Sequence, residues 1–116
     1  MSVELKTQIL VGAASSGSGK TTFTLGLLRA LRNRGISVQP YKCGPDYIDT
    51  QYHSLAAGRD SVNLDLFMGG REHVKEVYSR YGNDAQVAVV EGVMGLFDGY
   101  YKMEGSAAQI AQTLDI

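Results

Sequence analysis

The sequence predicts an α/β fold built on a mostly parallel sheet. A short apolar run at residues 9–11 leads through a Gly/Ser-rich segment into residues 21–33, where apolar side chains recur at helical spacing, and residues 37–42 follow as a second strand. A strand, a helix and a strand in succession form a βαβ unit, whose crossover helix makes the two strands parallel. Residues 87–90 are continuously apolar, which is typical of a parallel strand covered on both faces.

The other segments complete this prediction in chain order. Residues 43–65 lack a clean period, and we expect a loop with short helices there. Residues 73–80 and 106–114 are predicted helices, and residues 92–99 form a glycine-rich loop. Gly35 is a stop signal for the first helix. Because a last helix in an alternating sheet should lead into another strand, we expect the chain to be a partial domain, cut from a longer protein.

Helical periodicity also predicts which side chains face the core. In the first helix they are Phe23, Leu27, Ala30 and Leu31. In the helix at residues 73–80 and just beyond it they are Val74, Val77, Tyr78 and Tyr81, and in the last helix they are Ala107, Ile110, Ala111 and Leu114.

The composition limits the classes of function. With 44% hydrophobic residues, 20% charged residues and a net charge of -1, the chain is typical of one compact globular domain. It has no Lys/Arg blocks for nucleic acid and no apolar run of membrane-spanning length, and residues 1–8 lack the long apolar stretch that is expected of a signal peptide. Cys43 is the single cysteine, which excludes an internal disulfide and suits a reducing compartment. We therefore expect a cytoplasmic protein that acts on small molecules.

A phosphate-binding loop is the strongest single motif. Residues 14–21 read ASSGSGKT and have the spacing G-x-x-x-x-G-K-[ST], with Ala14 in place of the first glycine. A glycine-rich loop between a strand and a helix directs successive backbone N–H groups at one point, and the helix N-terminus adds partial positive charge there. The motif predicts a nucleotide site and a three-layer sandwich of the P-loop NTPase type.

The loop and the start of the following helix are predicted to bind the phosphates of the nucleotide. The residues expected to bind the nucleotide are Ser15, Ser16, Gly17, Ser18, Gly19, Lys20, Thr21 and Thr22. Lys20 would neutralise the β- and γ-phosphates, and the Thr21 hydroxyl would complete the coordination of Mg²⁺. Thr22 would donate a hydrogen bond to the α-phosphate.

Two groups of carboxylates are expected at the same edge of the sheet. Glu91 directly follows the strand at residues 87–90, so it should reach the edge where ligands bind and hold Mg²⁺ directly or through water. Lys42, Asp46 and Asp49 accompany the end of the second strand and bring one cation and two carboxylates toward the γ-phosphate.

The remaining polar candidates are weaker. Asp98, judged by itself, is a turn aspartate. His53 and His73 are too isolated to form a metal pair. Cys43 is interpreted as a small buried thiol rather than a nucleophile, because nothing adjacent in the sequence obviously lowers its pKa.

Three blocks together carry a family resemblance. They are KCGPDYIDT at residues 42–50, NLD at residues 63–65 and EGVMGLFDG at residues 91–99. With the phosphate loop, these blocks resemble the cobyrinic acid a,c-diamide synthase family, whose nearest fold relative is dethiobiotin synthetase. The resemblance spans nearly the whole chain but covers only the N-terminal part of such an enzyme.

The resemblance implies an activity and its partners. It implies a ligase that uses ATP, Mg²⁺ and glutamine to convert the a and c carboxylates of a corrinoid to amides during cobalamin biosynthesis. ATP would phosphorylate the carboxylate, and ammonia from a C-terminal glutaminase domain would attack the acyl phosphate. Because that domain lies outside this chain, the 116 residues alone are expected to be inactive. The oligomeric state stays open, a homodimer included.

The resemblance also implies residue roles. Asp46 and Glu91 would serve the Mg-ATP site together with Lys20 and Thr21. The residues implied to position the carboxylate substrate or to stabilise its acyl phosphate are Lys42, Asp49 and Asp98, and Tyr47 would contact the substrate.

Two alternatives remain. The same chemistry could act on another macrocycle, namely hydrogenobyrinic acid or nickel-sirohydrochlorin, and the sequence does not separate these substrates. The second alternative is a switch ATPase of the partitioning type, in which nucleotide controls dimerisation. Such proteins usually carry a lysine early in the loop, where this sequence has Ala13, Ala14 and Ser15.

Overall fold

A computed structural model of the chain describes residues 7–12, 19–44, 48–92 and 107–116. The elements within these ranges, in chain order, are β1 (Thr7–Val11), α1 (Lys20–Asn33), β2 (Val38–Cys43), α2 (Asp49–Ala57), β3 (Val62–Leu64), α3 (Leu66–Gly82), β4 (Val87–Glu91) and α4 (Ala107–Leu114). Among the described residues, none of the helices combines the length and the apolar character that crossing a membrane requires.

The described strands form one parallel sheet in the order β1-β4-β2-β3. The register of β4 pairs Glu91 with Val11 of β1 on one side and with Lys42 of β2 on the other. The carboxyl ends of β1, β4 and β2 therefore lie side by side. The predicted α/β class with a mostly parallel sheet is confirmed.

Helices cover both faces of the sheet and make three layers. Val87 and Val89 of β4 pack in a cluster with α1 and α2, whereas Ala88 and Val90 pack in a cluster with α3 and α4. Every residue of β4 is buried. The continuous apolar character of this strand is explained, because both of its faces contact helices.

The predicted inner face of α1 is partly wrong. Its fully buried residues are Thr24 and Leu28, with Leu27 and Leu31 partly buried beside them, whereas Ala30 is exposed. Phe23, also predicted to face the core, is 63% exposed. Thr24 is tolerated inside because its hydroxyl donates a 2.9 Å hydrogen bond to the Lys20 carbonyl, one turn earlier.

The segment expected to be a loop with short helices contains the short helix α2, as predicted, and the strand β3, which was not predicted. Helix α2 has an inverted pattern, in which Thr50 and His53 are buried while Tyr52 and Leu55 are exposed. Strand β3 has three residues and pairs with β2. Neither element produces the periodic apolar signal from which the sequence predicts helices and strands.

The later helices agree with the prediction except at their ends. Helix α3 begins at Leu66, and Gly70 interrupts it with a φ of 79°. Val74 is buried and Val77 and Tyr78 pack against the core, but Tyr81 is 45% exposed because it lies in the last turn before the helix ends.

In α4, Ile110 is buried and Leu114 packs against the same cluster. Ala111 is half-buried, the Ala107 side chain is outside the description, and most of the glycine-rich loop, residues 93–99, lies outside the described residues.

Candidate functional site

Glu91 is at the centre of the candidate site. It is the last residue of β4, so it lies at the carboxyl edge of the parallel sheet, where ligands bind in such folds. Its side chain is fully buried, with 0% exposure. A carboxylate removed from water in this way needs hydrogen-bond donors for both of its oxygens.

Three elements provide those donors. Thr21, in the first turn of α1, donates from Oγ1 to Glu91 Oε2 over 3.0 Å. Lys42 of β2 donates from Nζ to the same oxygen over 2.5 Å. His53 of α2 has its Nε2 3.0 Å from Glu91 Oε1. The carboxylate therefore joins the phosphate-loop helix, the neighbouring strand and the helix that follows that strand.

Glu91 is ionised at neutral pH. Burial by itself would raise the pKa of this carboxyl. The hydrogen bonds from His53 and Lys42 and the positive charge of Lys42 outweigh that effect and lower the pKa to about 2. An ionised carboxylate only accepts hydrogen bonds. It follows that the ring nitrogen of His53 that faces Glu91, Nε2, is the one that carries a proton.

The start of α1 favours an anion. Gly19, the N-cap residue, precedes the helix in the left-handed conformation, with a φ of 85°, and has no side chain with which to cap the first turn. The first turn has no acidic residue, and Lys20 is its first residue. The partial positive charge at this helix start and the charge of Lys20 therefore favour a phosphate group.

A cavity of about 430 Å³ borders this helix start. Its lining residues are Ile9, Leu10, Val11, Gly12, Gly19, Lys20 and Phe23. The exposed ring of Phe23 lines this cavity and does not pack in the core. This explains why the helical pattern of apolar residues wrongly predicted that Phe23 faces the core.

The oxygen donors present suit a small hard cation. The Thr21 hydroxyl and the Glu91 carboxylate are 3.0 Å apart, and Mg²⁺ prefers hydroxyl, carboxylate and phosphate oxygens. These two residues therefore fit the predicted Mg²⁺ site. Lys42, which neutralises Glu91, is only 3% exposed and contacts the same oxygen.

The structure brings together Thr21, Lys42 and Glu91, and places Lys20 at the start of the same helix. Thr22 is exposed on α1. Asp49 begins α2, and its side chain is outside the description. The predicted site residues that lie outside the described residues are Ser15, Ser16, Gly17, Ser18, Asp46, Tyr47 and Asp98.

Cys43 is a buried thiol at the end of β2, as the sequence suggested. Burial raises the pKa of this thiol to about 12, against the opposing effect of the Lys42 and Lys20 charges. The thiolate, which is the nucleophilic form of cysteine, is therefore scarce at neutral pH.

His53 is the site residue that the sequence did not reveal. The sequence predicts an isolated histidine, yet its side chain is fully buried against Glu91. The available signal was its spacing from Thr50, since residues three apart share one face of a helix. That signal becomes visible only once residues 49–57 are known to be helical.

The fold and the site define a nucleotide-binding domain of the P-loop class. It is a parallel sheet in which a helix starts at the glycine-rich motif after β1 and a buried carboxylate ends the adjacent strand. A family model described as the CobQ/CobB/MinD/ParA nucleotide binding domain matches residues 9–116. The chain belongs to this family.

Relatives with established names resemble the chain closely. A cobyrinate a,c-diamide synthase of Picrophilus torridus is 50% identical over 108 residues, which are 91% of this chain and 24% of the relative. That of Listeria innocua is 54% identical over 93 residues, 79% of this chain and 21% of the relative. A hydrogenobyrinate a,c-diamide synthase of Brucella anthropi is 49% identical over 108 residues, 92% of this chain and 25% of the relative.

These matches confirm the resemblance drawn from the sequence blocks. The chain spans about a quarter of the length of the curated relatives it matches.

Solved structures support the fold. The signal recognition particle receptor FtsY of Elizabethkingia anophelis, in complex with GDP, superposes with a TM-score of 0.65 at 17% identity, over 99% of this chain and 37% of that one. Chloroplast FtsY of Physcomitrella patens gives a TM-score of 0.62 at 14% identity, over 99% of this chain and 38% of that one. At these identities the likeness shows the fold alone.

Proposed function

We propose that this chain is the N-terminal part of the ATP-binding domain of a glutamine-dependent amidoligase. The enzyme would convert the a and c carboxylates of cobyrinic acid to amides in cobalamin biosynthesis. The relatives named cobyrinate a,c-diamide synthase, about half identical over most of the chain, support the substrate. The observation that carries the proposal for the site is the contact of Glu91 with both Thr21 and Lys42, which joins the nucleotide side to the second strand.

The reaction needs a nucleotide site more than it needs covalent catalysis by the protein. A substrate carboxylate oxygen attacks the γ-phosphorus of ATP, and the bond to the β-γ bridging oxygen breaks to release ADP. Ammonia then attacks the acyl carbon of the acyl phosphate, loses a proton, and inorganic phosphate departs. Charge stabilisation and alignment account for most of the rate enhancement in such transfers.

The residues divide between nucleotide and substrate. Lys20 and the loop residues 15–19 would hold the phosphates, and Thr22 would contact the α-phosphate. Thr21, Asp46 and Glu91 would hold Mg²⁺, which when bound neutralises charge on the phosphates. The residues proposed for the carboxylate substrate or its acyl phosphate are Lys42, Tyr47, Asp49 and Asp98.

Lys42 is suited to a position between the nucleotide and the carboxylate substrate. Its ammonium group already neutralises Glu91, so it stands at the carboxyl edge of the sheet without adding net charge to it. A rearrangement in which Thr21 turns toward a metal ion would leave Lys42 and His53 as the remaining partners of Glu91.

The ammonia would come from outside this chain. We propose that a glutaminase domain C-terminal to these residues hydrolyses glutamine, and that the 116 residues alone make no amide product. Cys43 is unsuited to be the glutaminase nucleophile, because its thiol is buried and its pKa is raised to about 12. We also propose that the enzyme works in the cytoplasm, where ATP and glutamine are available.

The test is made on the full-length protein that carries this chain. ADP release is measured with cobyrinic acid and either glutamine or ammonia, and the corrinoid products are analysed by mass spectrometry. We expect ADP release to require the corrinoid and two amides to appear on it. ADP release that ignores the corrinoid, with no mass change, would contradict the proposed substrate.

Hydrogenobyrinic acid is the second candidate substrate, because the Brucella anthropi relative with that name is 49% identical to the chain. The same assay with the two corrinoids in competition distinguishes them by the ratio of amidated products. Nickel-sirohydrochlorin is tested as a third acceptor. For a partitioning-type switch, in contrast, ATP would change the oligomeric state without any acceptor, which size-exclusion chromatography measures.

A further inference from the structure

We propose that His53 is a positioning residue of the nucleotide site, whose imidazole holds Glu91 Oε1 so that Glu91 Oε2 faces the Thr21 hydroxyl. This inference rests on the proposed function of Thr21 and Glu91 at a Mg-ATP site. The phosphate-loop motif does not include His53, and His53 lies outside the sequence blocks that carry the family resemblance, between residues 42–50 and residues 63–65.

The geometry gives each oxygen of Glu91 its own partners. Oε2 accepts from Thr21 and Lys42, whereas Oε1 lies 3.0 Å from His53 Nε2. Because both His53 and Glu91 have 0% exposure, bulk water cannot replace the imidazole as a donor to Oε1. His53 therefore fixes the rotation of the carboxylate about its last side-chain bond.

Loss of this donor would change the site without touching any phosphate contact. A buried carboxylate oxygen without a donor is costly, so the group would turn to share Lys42 between its two oxygens. Oε2 would then leave the position from which it meets Thr21 Oγ1. Thr21 and Glu91, two of the residues proposed to hold Mg²⁺, would lose their alignment.

The ring of His53 is itself held from its other side. Ser61 Oγ is 3.4 Å from His53 Nδ1, and the Ser61 backbone N–H donates to Ser54 Oγ over 2.9 Å. Ser54 Oγ in turn donates to the Thr50 carbonyl over 2.7 Å. The ring is therefore contacted at both of its nitrogens, by Glu91 at Nε2 and by Ser61 at Nδ1. Residues of α2 and of the segment before β3 thus set the plane of the imidazole.

A series of substitutions separates the position of the donor from the bulk of the side chain. In His53→Gln, the amide nitrogen reaches about as far from the backbone as Nε2 of histidine does, so it can donate to Glu91. In His53→Asn the amide reaches only the place of Nδ1, and in His53→Leu there is no donor. His73→Leu is the matched control, because His73 is exposed on α3.

The experiment measures how much Mg²⁺ strengthens ATP binding to the full-length protein. Isothermal titration calorimetry gives the dissociation constant for ATP with Mg²⁺ and with a chelator, and thermal denaturation checks folding. The ratio of the dissociation constant with a chelator to that with Mg²⁺ measures how much Mg²⁺ strengthens ATP binding. We expect this ratio to fall about tenfold in His53→Leu and His53→Asn, as is usual when the partner of a metal ligand is lost. Binding of metal-free ATP should stay within about twofold, and His53→Gln and His73→Leu should resemble the wild type.

Two results would overturn the inference. The first is that Mg²⁺ strengthens ATP binding as much in folded His53→Leu and His53→Asn as in the wild type. The second is that His53→Gln loses as much of this strengthening as His53→Leu does, which would indicate that the shape of the imidazole matters and its hydrogen bond to Glu91 does not. If His53→Leu fails to fold, the comparison of His53→Asn with His53→Gln decides.

Failure of the proposed function gives a different result. If ATP binding depends on Mg²⁺ and on His53 but cobyrinic acid is not amidated, the proposed substrate is wrong and the role of His53 stands. If amidation occurs while the effect of Mg²⁺ is the same in every His53 variant, the proposed function stands and the role of His53 is wrong.

Discussion

Lys42 and Glu91 occupy partner positions on the adjacent strands β2 and β4, and their side chains form a buried ion pair with 2.5 Å between Nζ and Oε2. Removing two charges from water is costly, and the attraction between them offsets that cost only when further hydrogen bonds satisfy the remaining atoms. Thr21 and His53 provide such bonds to the carboxylate. The stability of the domain and the geometry of the site therefore depend on the same group.

Substitution of Lys42 should destabilise the protein strongly. Lys42→Met leaves Glu91 as a buried charge without its closest partner, and we expect a loss of about 3–5 kcal/mol in the free energy of unfolding, measured by chemical denaturation. The control is Lys75→Met, which breaks the exposed pair between Lys75 and Glu72 on α3. An exposed pair of this kind contributes less than about 1 kcal/mol. Equal effects of the two substitutions would contradict the account of the buried pair.

The stability should also depend on pH through Glu91. The pKa of this carboxyl is lowered in the folded protein from its ordinary value of 4.5 to about 2, so its contribution to stability is complete above pH 4.5 and is lost as the pH falls toward 2. Chemical denaturation between pH 6 and pH 3 measures this loss. Glu91→Gln should be less stable than the wild type at pH 6, and the difference should narrow as the pH falls. A difference that stays constant with pH would show that the pKa of Glu91 is the same in the folded and unfolded protein, and would contradict the lowered pKa.

Lys20 should be required for turnover. It begins α1 at the phosphate-binding motif, and a charge lost from a site of transition-state stabilisation typically lowers kcat by about a hundredfold to a thousandfold. ADP release by full-length Lys20→Ala, with saturating corrinoid, measures the effect. Lys75→Ala is the control, since Lys75 is on the exposed side of α3. Unchanged turnover in Lys20→Ala would contradict the phosphate-loop assignment.

The sheet and part of the site follow from the sequence for one reason. The carboxyl ends of parallel strands meet at one edge, so a residue that ends a strand can be placed beside the end of another before any contact is known. Lys42 and Glu91 are both predicted at that edge on this basis, and the register shows in addition that they are direct partners. The motif placed Thr21 at the same edge, where it contacts Glu91.

The contribution of α2 could not be foreseen in the same way. Its buried positions include Thr50 and His53, and its exposed positions include Tyr52 and Leu55, so hydrophobic periodicity points to the wrong face. The burial of His53 depends on its hydrogen bond with Glu91, a charged residue on another element, and this is a tertiary contact. The three-residue strand β3 is likewise too short to show a period.

Cys43 should be protected from alkylation in the folded protein. Its side chain is fully buried and the pKa of its thiol is about 12, so both access and thiolate are lacking at neutral pH. We expect iodoacetamide to leave the peptide that contains Cys43 unlabelled under native conditions and to label it after denaturation, as mass spectrometry of the digested full-length protein would show. Rapid native labelling of this peptide would contradict the burial of β2.

The packing of α1 can be tested with two of its apolar residues. Leu28 is fully buried in the cluster with Val87 and Val89, whereas Phe23 is 63% exposed at the cavity beside the helix start. Leu28→Ala removes buried methyl groups and leaves a cavity, so we expect the free energy of unfolding to fall by about 2–5 kcal/mol. Phe23→Ala removes a larger side chain but should cost less than about 1 kcal/mol, because most of the ring contacts water. Chemical denaturation of the two variants measures both values. The helical pattern alone predicts the opposite order, so a larger loss in Phe23→Ala would show that α1 is rotated about its axis from the orientation described.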